Sequence, residues 1–180
     1  SVFKNAELIY ERGVFPDSIG VFKHALTQQV VYNSIVSEQR RKIHEAVGNA
    51  IEEIFSNYIE DYFAILAEQY CKCKNRKKCV TYSIKTGDKA ATLFAWHEAR
   101  KNYEIALDHV EETDPEQKSE ILGKLAIVTM FDLDVEVSLK YALSALELFE
   151  RLSDRENQLS MLMHIQSIYT GGFLDGSKED

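Results

Sequence analysis

All three cysteines of the chain lie in one short segment, CKCKNRKKC, at Cys71, Cys73 and Cys79. Cysteine thiolates are good ligands for Zn²⁺, but structural zinc sites take four ligands and commonly use paired C-x₂-C units. The spacing here is C-x-C-x₅-C, and no histidine is close by in the sequence. We therefore expect reduced thiols with no metal and no other cofactor. A metal site would still require a histidine that is close in space.

The same segment is rich in positive charge, because five basic residues alternate with the cysteines: Lys72, Lys74, Arg76, Lys77 and Lys78. A solvated loop between two helices is one interpretation of this cluster. Docking of an acidic partner, or of the acidic half of a second copy, is the other. The sequence leaves both open.

Other residues with catalytic potential do not form a recognisable set. His24 and His44 have no Ser, Asp or Cys at a spacing that would make a catalytic pair, and both are expected to be structural. Gly87-Asp88-Lys89 is not part of a phosphate-binding loop, whose pattern G-x₄-G-K-[ST] occurs nowhere in the chain. We expect no catalytic residue, and we expect that this chain is not an enzyme.

Composition indicates a soluble protein with a substantial core, since 45% of its 180 residues are hydrophobic and 28% are charged. The net charge of -8 is concentrated beyond Val110, where 15 acidic residues face 6 basic ones, which argues against nucleic acid as a partner. No apolar run is long enough to span a bilayer, and the first residues do not resemble a signal peptide. We interpret the chain as a piece of a longer cytoplasmic protein that does not bind membranes.

Apolar residues recur at helical spacing almost throughout the chain. The pattern predicts helices over about 37–55, 59–72, 76–94, 96–110, 115–130, 135–152 and 154–169. The stripe of the third predicted helix includes Phe94. Asp114 before Pro115 is a predicted N-cap, and Ser153 is predicted to cap the last helix, with Glu156 closing a capping box.

Small residues repeat along this pattern in the way that closely packed helix pairs require. Ala99, Tyr103 and Ala106 recur 39 positions later as Ser138, Ala142 and Ala145, and Gln166 with Tyr169 is placed in register with Ala67 and Tyr70. The spacing is that of tetratricopeptide units, although their usual period is nearer 34. The predicted fold is all-α, with antiparallel hairpins stacked as a right-handed superhelix; an irregular helical bundle is the alternative.

The segment FKHALTQQVVYNSI from Phe22, followed by EQRRKIHEAVGNAIEEIF, resembles the junction before the tetratricopeptide repeats of multidomain STAND ATPases. Many members of that family carry a class III adenylate or guanylate cyclase domain. The resemblance covers about residues 8–110, with Val31 where the family has Ala and Ile43 where it has Leu. It implies four regions: the end of a winged-helix domain (1–23), linker helices (24–57), and repeats in two parts (58–112 and 113–180, the last with a truncated end).

The resemblance implies a regulatory function for this chain, since the repeats of such proteins are thought to act as a sensor or docking arm for the ATPase. Expected partners are a protein or peptide, or other domains of the parent chain. A homodimer formed by a self-association scaffold is the alternative, because an array without a polar cap exposes apolar surface. The segment TGGFLDGSKED, which follows Tyr169, is the sequence basis for that alternative.

Two sets of residues are candidates for these contacts. Arg40 and Arg41 would contact the upstream domain through its carboxylates, or would simply face solvent. The register of the first helices predicts a concave partner-binding face made of Asp61, Glu68, Glu120, Ile127, Met130 and Met163. For the two methionines, a place in the core is the competing interpretation.

Overall fold

A computed structural model describes residues 9–12 and 19–171 and divides the chain into two compact units, Ser1–Ile43 and His44–Asp180. The first unit contains a two-stranded antiparallel sheet of β1 (Ile9–Arg12) and β2 (Ile19–Phe22), with Ile9 opposite Phe22. This hairpin falls in the region predicted to end a winged-helix domain. The rest of that region, 1–8 and 13–18, and the segment after Gly171 lie outside the described residues.

Two helices follow the hairpin in the region predicted as linker helices, and an extended residue separates them. Helix α1 spans Ala25–Ser34, Ile35 is extended (φ -73°, ψ 130°), and helix α2 spans Ser37–Ile54. No side chain of α1 is buried. The two-unit division falls within α2, between Ile43 and His44.

The second unit is a series of helices that pack mainly against their neighbours in sequence. After a 3₁₀ helix at Ser56–Tyr62, its helices are α3 (Phe63–Cys73), α4 (Arg76–Thr92), α5 (Trp96–His109), α6 (Pro115–Phe131), α7 (Val135–Leu152) and α8 (Arg155–Thr170). Consecutive contacts of this kind are typical of stacked hairpins, in which each pair buries its apolar face against the next. The predicted all-α fold with antiparallel hairpins is confirmed.

The repeated small residues lie where the helices are closest. Ala99, Ala106, Ser138, Ala142 and Ala145 are completely buried, as expected for positions that let two helix backbones approach. The proposed equivalence of Gln166 and Tyr169 with Ala67 and Tyr70 is wrong. Gln166 is exposed and Tyr169 is 63% exposed, because Ile168 is the residue that α8 buries at this point.

Glycine is needed at two helix crossings in this unit. A Cβ atom on Gly48 of α2 would lie 2.8 Å from the ring of Tyr70 in α3. A Cβ atom on Gly87 of α4 would lie 2.4 Å from the ring of Tyr103 in α5, which is far too close. The Tyr103 ring occupies that space, and its hydroxyl donates a hydrogen bond to Asp88 over 2.7 Å. Burial, followed by this hydrogen bond, raises the pKa of Tyr103 well above its ordinary value.

Four of the turns between helices share one backbone geometry. The residue two places before the next helix is left-handed, and its amide and the following amide bond back to the last helical turn. These left-handed residues are Lys74, Phe94, Leu133 and Ser153. The turn between α5 and α6 is longer, and it ends at Asp114, which accepts a hydrogen bond from Gln117 N as predicted.

This geometry corrects two predictions. Ser153 does not cap α8: it is the left-handed residue after α7, and Asp154 caps α8 by accepting a hydrogen bond from Asn157 N. Phe94 is not part of a buried stripe, because α4 ends at Thr92 and Phe94 lies in the turn with 76% of its surface exposed. The capping motif placed the start of α8 one residue too early, and the apolar periodicity placed the end of α4 two residues too late.

Candidate functional site

An exposed group of apolar side chains lies at the α4–α5 and α6–α7 turns. Its centre is Trp96, which meets Phe94 edge-on with 5.5 Å between ring centroids and stacks on Phe131 at 4.6 Å. We call this surface the apolar edge, and define it by Leu93, Phe94, Trp96, Phe131 and Leu133. The aromatic contacts join two turns that are more than thirty residues apart in sequence.

Most of the apolar edge is open to solvent. Leu93 is 70% exposed, Phe94 76% and Leu133 83%, whereas Trp96 is half-buried against the core. Single exposed apolar residues are common, but grouped ones are typical of surfaces that bind other proteins. The partly buried indole of Trp96 links the core to the rings of Phe94 and Phe131.

Two members of the apolar edge have an unfavourable backbone conformation. Phe94 has φ 59° and Leu133 has φ 64°, in the left-handed region where glycine is the preferred residue at a helix end. A bulky side chain there costs about 1–2 kcal/mol. Such conformations persist where the surrounding structure imposes them, and they cluster at functional sites.

Charged groups border the apolar edge and connect the same two turns. Arg100 of α5 lies 3.1 Å from an Asp134 carboxylate oxygen and 3.0 Å from one of Glu104. These hydrogen bonds, with Glu104 the larger contributor, raise the pKa of Arg100 above its ordinary value. Asp132 approaches Arg100 at 3.5 Å and His97 at 3.4 Å. The edge therefore combines an apolar centre with a mixed, mainly acidic border.

The six residues predicted to form a concave face are divided among separate places. Glu120 and Ile127 of α6 line one cleft of about 220 Å³ together with Met161 of α8. The other four do not line this cleft. Glu68 pairs with Lys72 on its own helix and Asp61 pairs with Lys89, while Met130 is half-buried and Met163 is 62% exposed.

The two predicted interdomain arginines differ in their surroundings. The Arg40 guanidinium lies 5.1 Å from the ring centroid of Tyr32, a cation–π contact that links α2 to α1 within the first unit. Arg40 is half-buried and Arg41 is exposed. Of the two arginines, Arg40 is therefore the one in contact with α1.

The expectation of reduced thiols is wrong for two of the three cysteines. Cys71, near the end of α3, forms a disulfide with Cys79 in the first half of α4. Their Cα atoms are 4.8 Å apart because the intervening turn folds α4 directly back on α3. Cys73 is free and half-buried. His109, which is thirty residues beyond Cys79, has its ring beside both sulfurs.

The basic segment at this turn is not simply a solvated loop. Lys78 donates to Glu52 over 2.7 Å and to the Tyr70 hydroxyl over 3.0 Å, and Tyr82 donates to the other oxygen of Glu52 over 2.6 Å. Burial alone would raise the pKa of Glu52, but the hydrogen bonds from Lys78, Tyr82 and Tyr70 outweigh it and lower that pKa. Burial and the Glu52 hydrogen bond raise the pKa of Tyr82. The network connects α2 to the α3–α4 hairpin.

The two histidines considered in the sequence have different environments. His44 is buried, and its Nδ1 lies 2.7 Å from the side-chain oxygen of Gln69, which confirms the prediction of a structural histidine. His24 precedes α1 as its N-cap residue, is exposed, and makes no side-chain capping hydrogen bond.

Sequence reasoning missed the apolar edge and the proximity of His109 to the cysteines. A signal for the edge was present, because the stretches LFAW from Leu93 and FDLD from Phe131 place large apolar residues where turns usually have Gly or Asn. Such a signal is easily mistaken for the end of a helix stripe. No local signal connects His109 to Cys71 and Cys79, since only the packing of α5 on α4 brings them together.

Comparison of the chain with protein-family models, with curated proteins and with solved structures gave no match. Among the described residues, no helix has both the length and the apolar content needed to cross a membrane.

Proposed function

We propose that this chain is a non-catalytic regulatory and protein-interaction arm of a cytoplasmic signalling ATPase of the STAND class, of the type linked to an adenylate or guanylate cyclase. The observation that carries the proposal is the apolar edge. Stacked hairpins supply a rigid support, and the edge supplies the exposed apolar group that a protein partner would cover.

The backbone of the edge strengthens this argument. Phe94 and Leu133 occupy positions where glycine would be more stable, yet both present large apolar side chains to solvent. Neither exposure nor conformation benefits the isolated chain. A partner that buries these side chains would account for both, since burying a large apolar side chain contributes about 1.5–3 kcal/mol.

The partner we propose is another protein surface of the parent chain. The linker helices have apolar side chains that the described residues leave exposed: Leu26 (76%), Val30 (67%) and Val36 (72%). A regulatory arm that packs against an upstream domain would cover such side chains. The resemblance of the sequence from Phe22 onward to the junction in STAND ATPases supports the same partner.

The first experiment determines the parent polypeptide upstream of Ser1. A phosphate-binding loop of the form G-x₄-G-K-[ST] preceding a winged-helix domain is the expected finding. Cyclase metal aspartates further upstream would identify the cyclase-linked type. A parent without a phosphate-binding loop would reduce this chain to a helical scaffold and would overturn the ATPase assignment.

The second experiment tests the edge in that parent. The double variant Phe94→Gly/Leu133→Gly removes the exposed side chains at positions where glycine is tolerated, so the fold should be kept. We expect that the repeat region no longer regulates the rate of nucleotide hydrolysis in this variant. Lys74→Gly is the matched control, because it makes the same change at a left-handed residue outside the edge. Equal hydrolysis in both variants would exclude the edge as the docking surface.

A signal from the repeats would reach the ATPase by repacking of the linker helices α1 and α2. The contact of Arg40 with Tyr32 is the element that such repacking would change. Arg40→Ala combined with Arg41→Ala should uncouple the response of the parent protein, whereas Lys42→Ala, which removes only an exposed pair with Glu38, should not. An unchanged response in the arginine variant would eliminate this route.

A second candidate function, self-association, is favoured by the surface of α8. Leu159, Leu162, Met163 and Tyr169 recur at helical spacing and are each 51–63% exposed. A second copy of the chain would cover this stripe in an isologous contact. Molecular mass measured over a range of concentrations should rise for the wild-type chain and not for Leu162→Glu. A mass that stays monomeric throughout would exclude this candidate.

A further inference from the structure

Three potential metal ligands come together at the α3–α4 turn. The sulfur atoms of Cys71 and Cys79 and a ring nitrogen of His109 all lie within 4.8 Å of one another. The cysteines come from α3 and α4, and the histidine comes from the last turn of α5. Three consecutive helices thus converge on one point.

The histidine has one ring nitrogen left available as a ligand. Its Nδ1 lies 2.8 Å from the backbone oxygen of Ile105, so Nδ1 carries the ring proton and donates it to that carbonyl. Nε2 is then the nitrogen with a free lone pair. Metal-binding histidines are characteristically held this way, with the second ring nitrogen donating to a carbonyl or a carboxylate.

The surroundings suit a neutral metal complex. Cys79 is completely buried, and the two cysteines of the disulfide and Ile105 belong to one apolar cluster with Tyr70 and Leu66. A dication bound by two thiolates and one neutral imidazole has no net charge, so placing it beside apolar side chains carries a smaller desolvation cost than an isolated charge would. Cys71 and His109 are only half-buried, which gives an ion access from solvent.

We propose that Cys71, Cys79 and His109 form a zinc site that opens when the disulfide is reduced. A thiol reductant cleaves the sulfur–sulfur bond: two external thiols give up two electrons and two protons, become a disulfide, and leave two protein thiols. Zn²⁺ then displaces one proton from each thiol. Two sulfurs and one imidazole nitrogen are the ligands of a tetrahedral ion, with water as the fourth.

The two cysteine side chains need to move little between the disulfide and the zinc-bound state. In a tetrahedral site with Zn–S bonds of about 2.3 Å, the two sulfurs are about 3.8 Å apart. Cysteine side chains whose Cα atoms are 4.8 Å apart can reach that separation by rotating about their Cα–Cβ bonds. The oxidised chain cannot bind the ion, because both sulfurs are then bonded to each other. Oxidation and zinc binding therefore exclude each other.

Of the three ligands, His109 also borders a cleft of about 260 Å³. Glu111, Asp114, Arg76 and Lys77 line this cleft with it, whereas neither cysteine does. The polar lining of the cleft lets solvent and ions reach the imidazole. Access to Cys71 comes from its own half-buried position.

The test is titration of the full chain with Zn²⁺ against a chelating dye, after reduction with a phosphine and removal of the reductant under nitrogen. We expect one tightly bound zinc per reduced chain and none per oxidised chain. Cys71→Ser and Cys79→Ser should abolish binding, and His109→Gln should weaken it by about 10-fold or more. The matched controls are Cys73→Ser, which removes the third cysteine, and His97→Gln, which removes an exposed histidine; both should bind as the wild type does.

Failure of the reduced chain to bind a stoichiometric zinc would overturn the proposal, as would full affinity in His109→Gln or loss of affinity in Cys73→Ser. Should His109→Gln not fold, the cobalt complex of the wild-type chain decides the question. A tetrahedral Co²⁺ site with thiolates shows charge-transfer absorption in the near ultraviolet, and a coordinated imidazole shows paramagnetically shifted ring protons. Absence of the shifted protons would exclude His109 as a ligand.

Discussion

The α3–α4 turn and the α6–α7 turn have the same backbone conformation, but they expose side chains of different chemical character. In the first, the amides of Lys74 and Asn75 bond back to the end of α3 at 3.1 and 3.0 Å; in the second, Leu133 and Asp134 make the same bonds to α6 at the same distances. Yet the first turn is flanked by a disulfide and presents a lysine, while the second presents an 83% exposed leucine.

The helices behind these turns also differ in what they bury. The α3–α4 hairpin packs tyrosines whose hydroxyls join a polar network, with Tyr70 and Tyr82 stacked at 5.6 Å. The α6–α7 pair packs small and aliphatic residues around Phe149. One backbone scheme therefore serves a cross-linked, hydrogen-bonded hairpin and a tightly packed one with an open apolar turn. The side chains, and not the topology, make one turn cross-linked and polar and the other apolar and exposed.

The largest effect should come from the packed core of the α6–α7 region. Phe149→Ala should lower the free energy of unfolding by about 3–5 kcal/mol, because Phe149 is 95% buried and leaves a cavity. Phe131→Ala, at the apolar edge, is the control: it removes a half-exposed ring and should cost about 1 kcal/mol through its stacking on Trp96. Urea unfolding measures both. Similar losses would show that the edge is part of the core.

The next largest effect on stability should come from the disulfide, which is present at the α3–α4 turn and not at the α6–α7 turn. Reduction in the presence of a chelator should lower the stability of the chain by about 2–3 kcal/mol, since the bond closes a short loop in the unfolded state. Cys73→Ser should change nothing in either state. Mass spectrometry after alkylation gives the pairing, and a chain with three free thiols under oxidising conditions would contradict the Cys71–Cys79 bond.

The polar network of the α3–α4 hairpin should give stability a dependence on acid. The pKa of Glu52 is below its ordinary value of 4.5 in the folded chain, so its contribution is present above that value and is lost as the pH falls through the lower, folded pKa. Glu52→Gln should lower the free energy of unfolding by about 1–2 kcal/mol at neutral pH. It should also make the plot of stability against pH flatter in the acid range.

Glu68→Gln is the control for this profile, because Glu68 forms an exposed pair with Lys72 on one helix. Such a pair contributes only a few tenths of a kcal/mol. Thermal unfolding between neutral pH and pH 3 separates the two variants. Parallel profiles for Glu52→Gln and the wild-type chain would show that the network has no part in acid stability.

The smallest effect should be a gain. Leu133→Gly should raise the stability by up to about 1 kcal/mol, because glycine relieves the left-handed strain and little buried surface is lost. Ser153→Gly should behave alike at the equivalent turn after α7. A loss of more than 1 kcal/mol in Leu133→Gly would mean that its side chain already has a partner within the chain.

Local interactions made much of the helical order predictable. Apolar spacing and the Asp114–Pro115 start signal each involve residues close together in sequence. They predicted the bounds of α6 and α7 almost to the residue. The small residues Ala99, Ala106, Ala142 and Ala145 marked where helices touch, because close approach excludes larger side chains. The start signal at Ser153 was one residue too early, because the turn after α7 uses Ser153 as its left-handed residue and leaves Asp154 to cap α8.

The sequence by itself determined an all-α chain of antiparallel hairpins, since helical periodicity and short connections leave few other arrangements. The tertiary structure decided which residues meet. It joined Cys71 to Cys79 beside His109, placed Trp96 against Phe131, and left Phe94 and Leu133 exposed. These outcomes depend on how neighbouring helices pack across long stretches of chain, and no local propensity encodes such contacts.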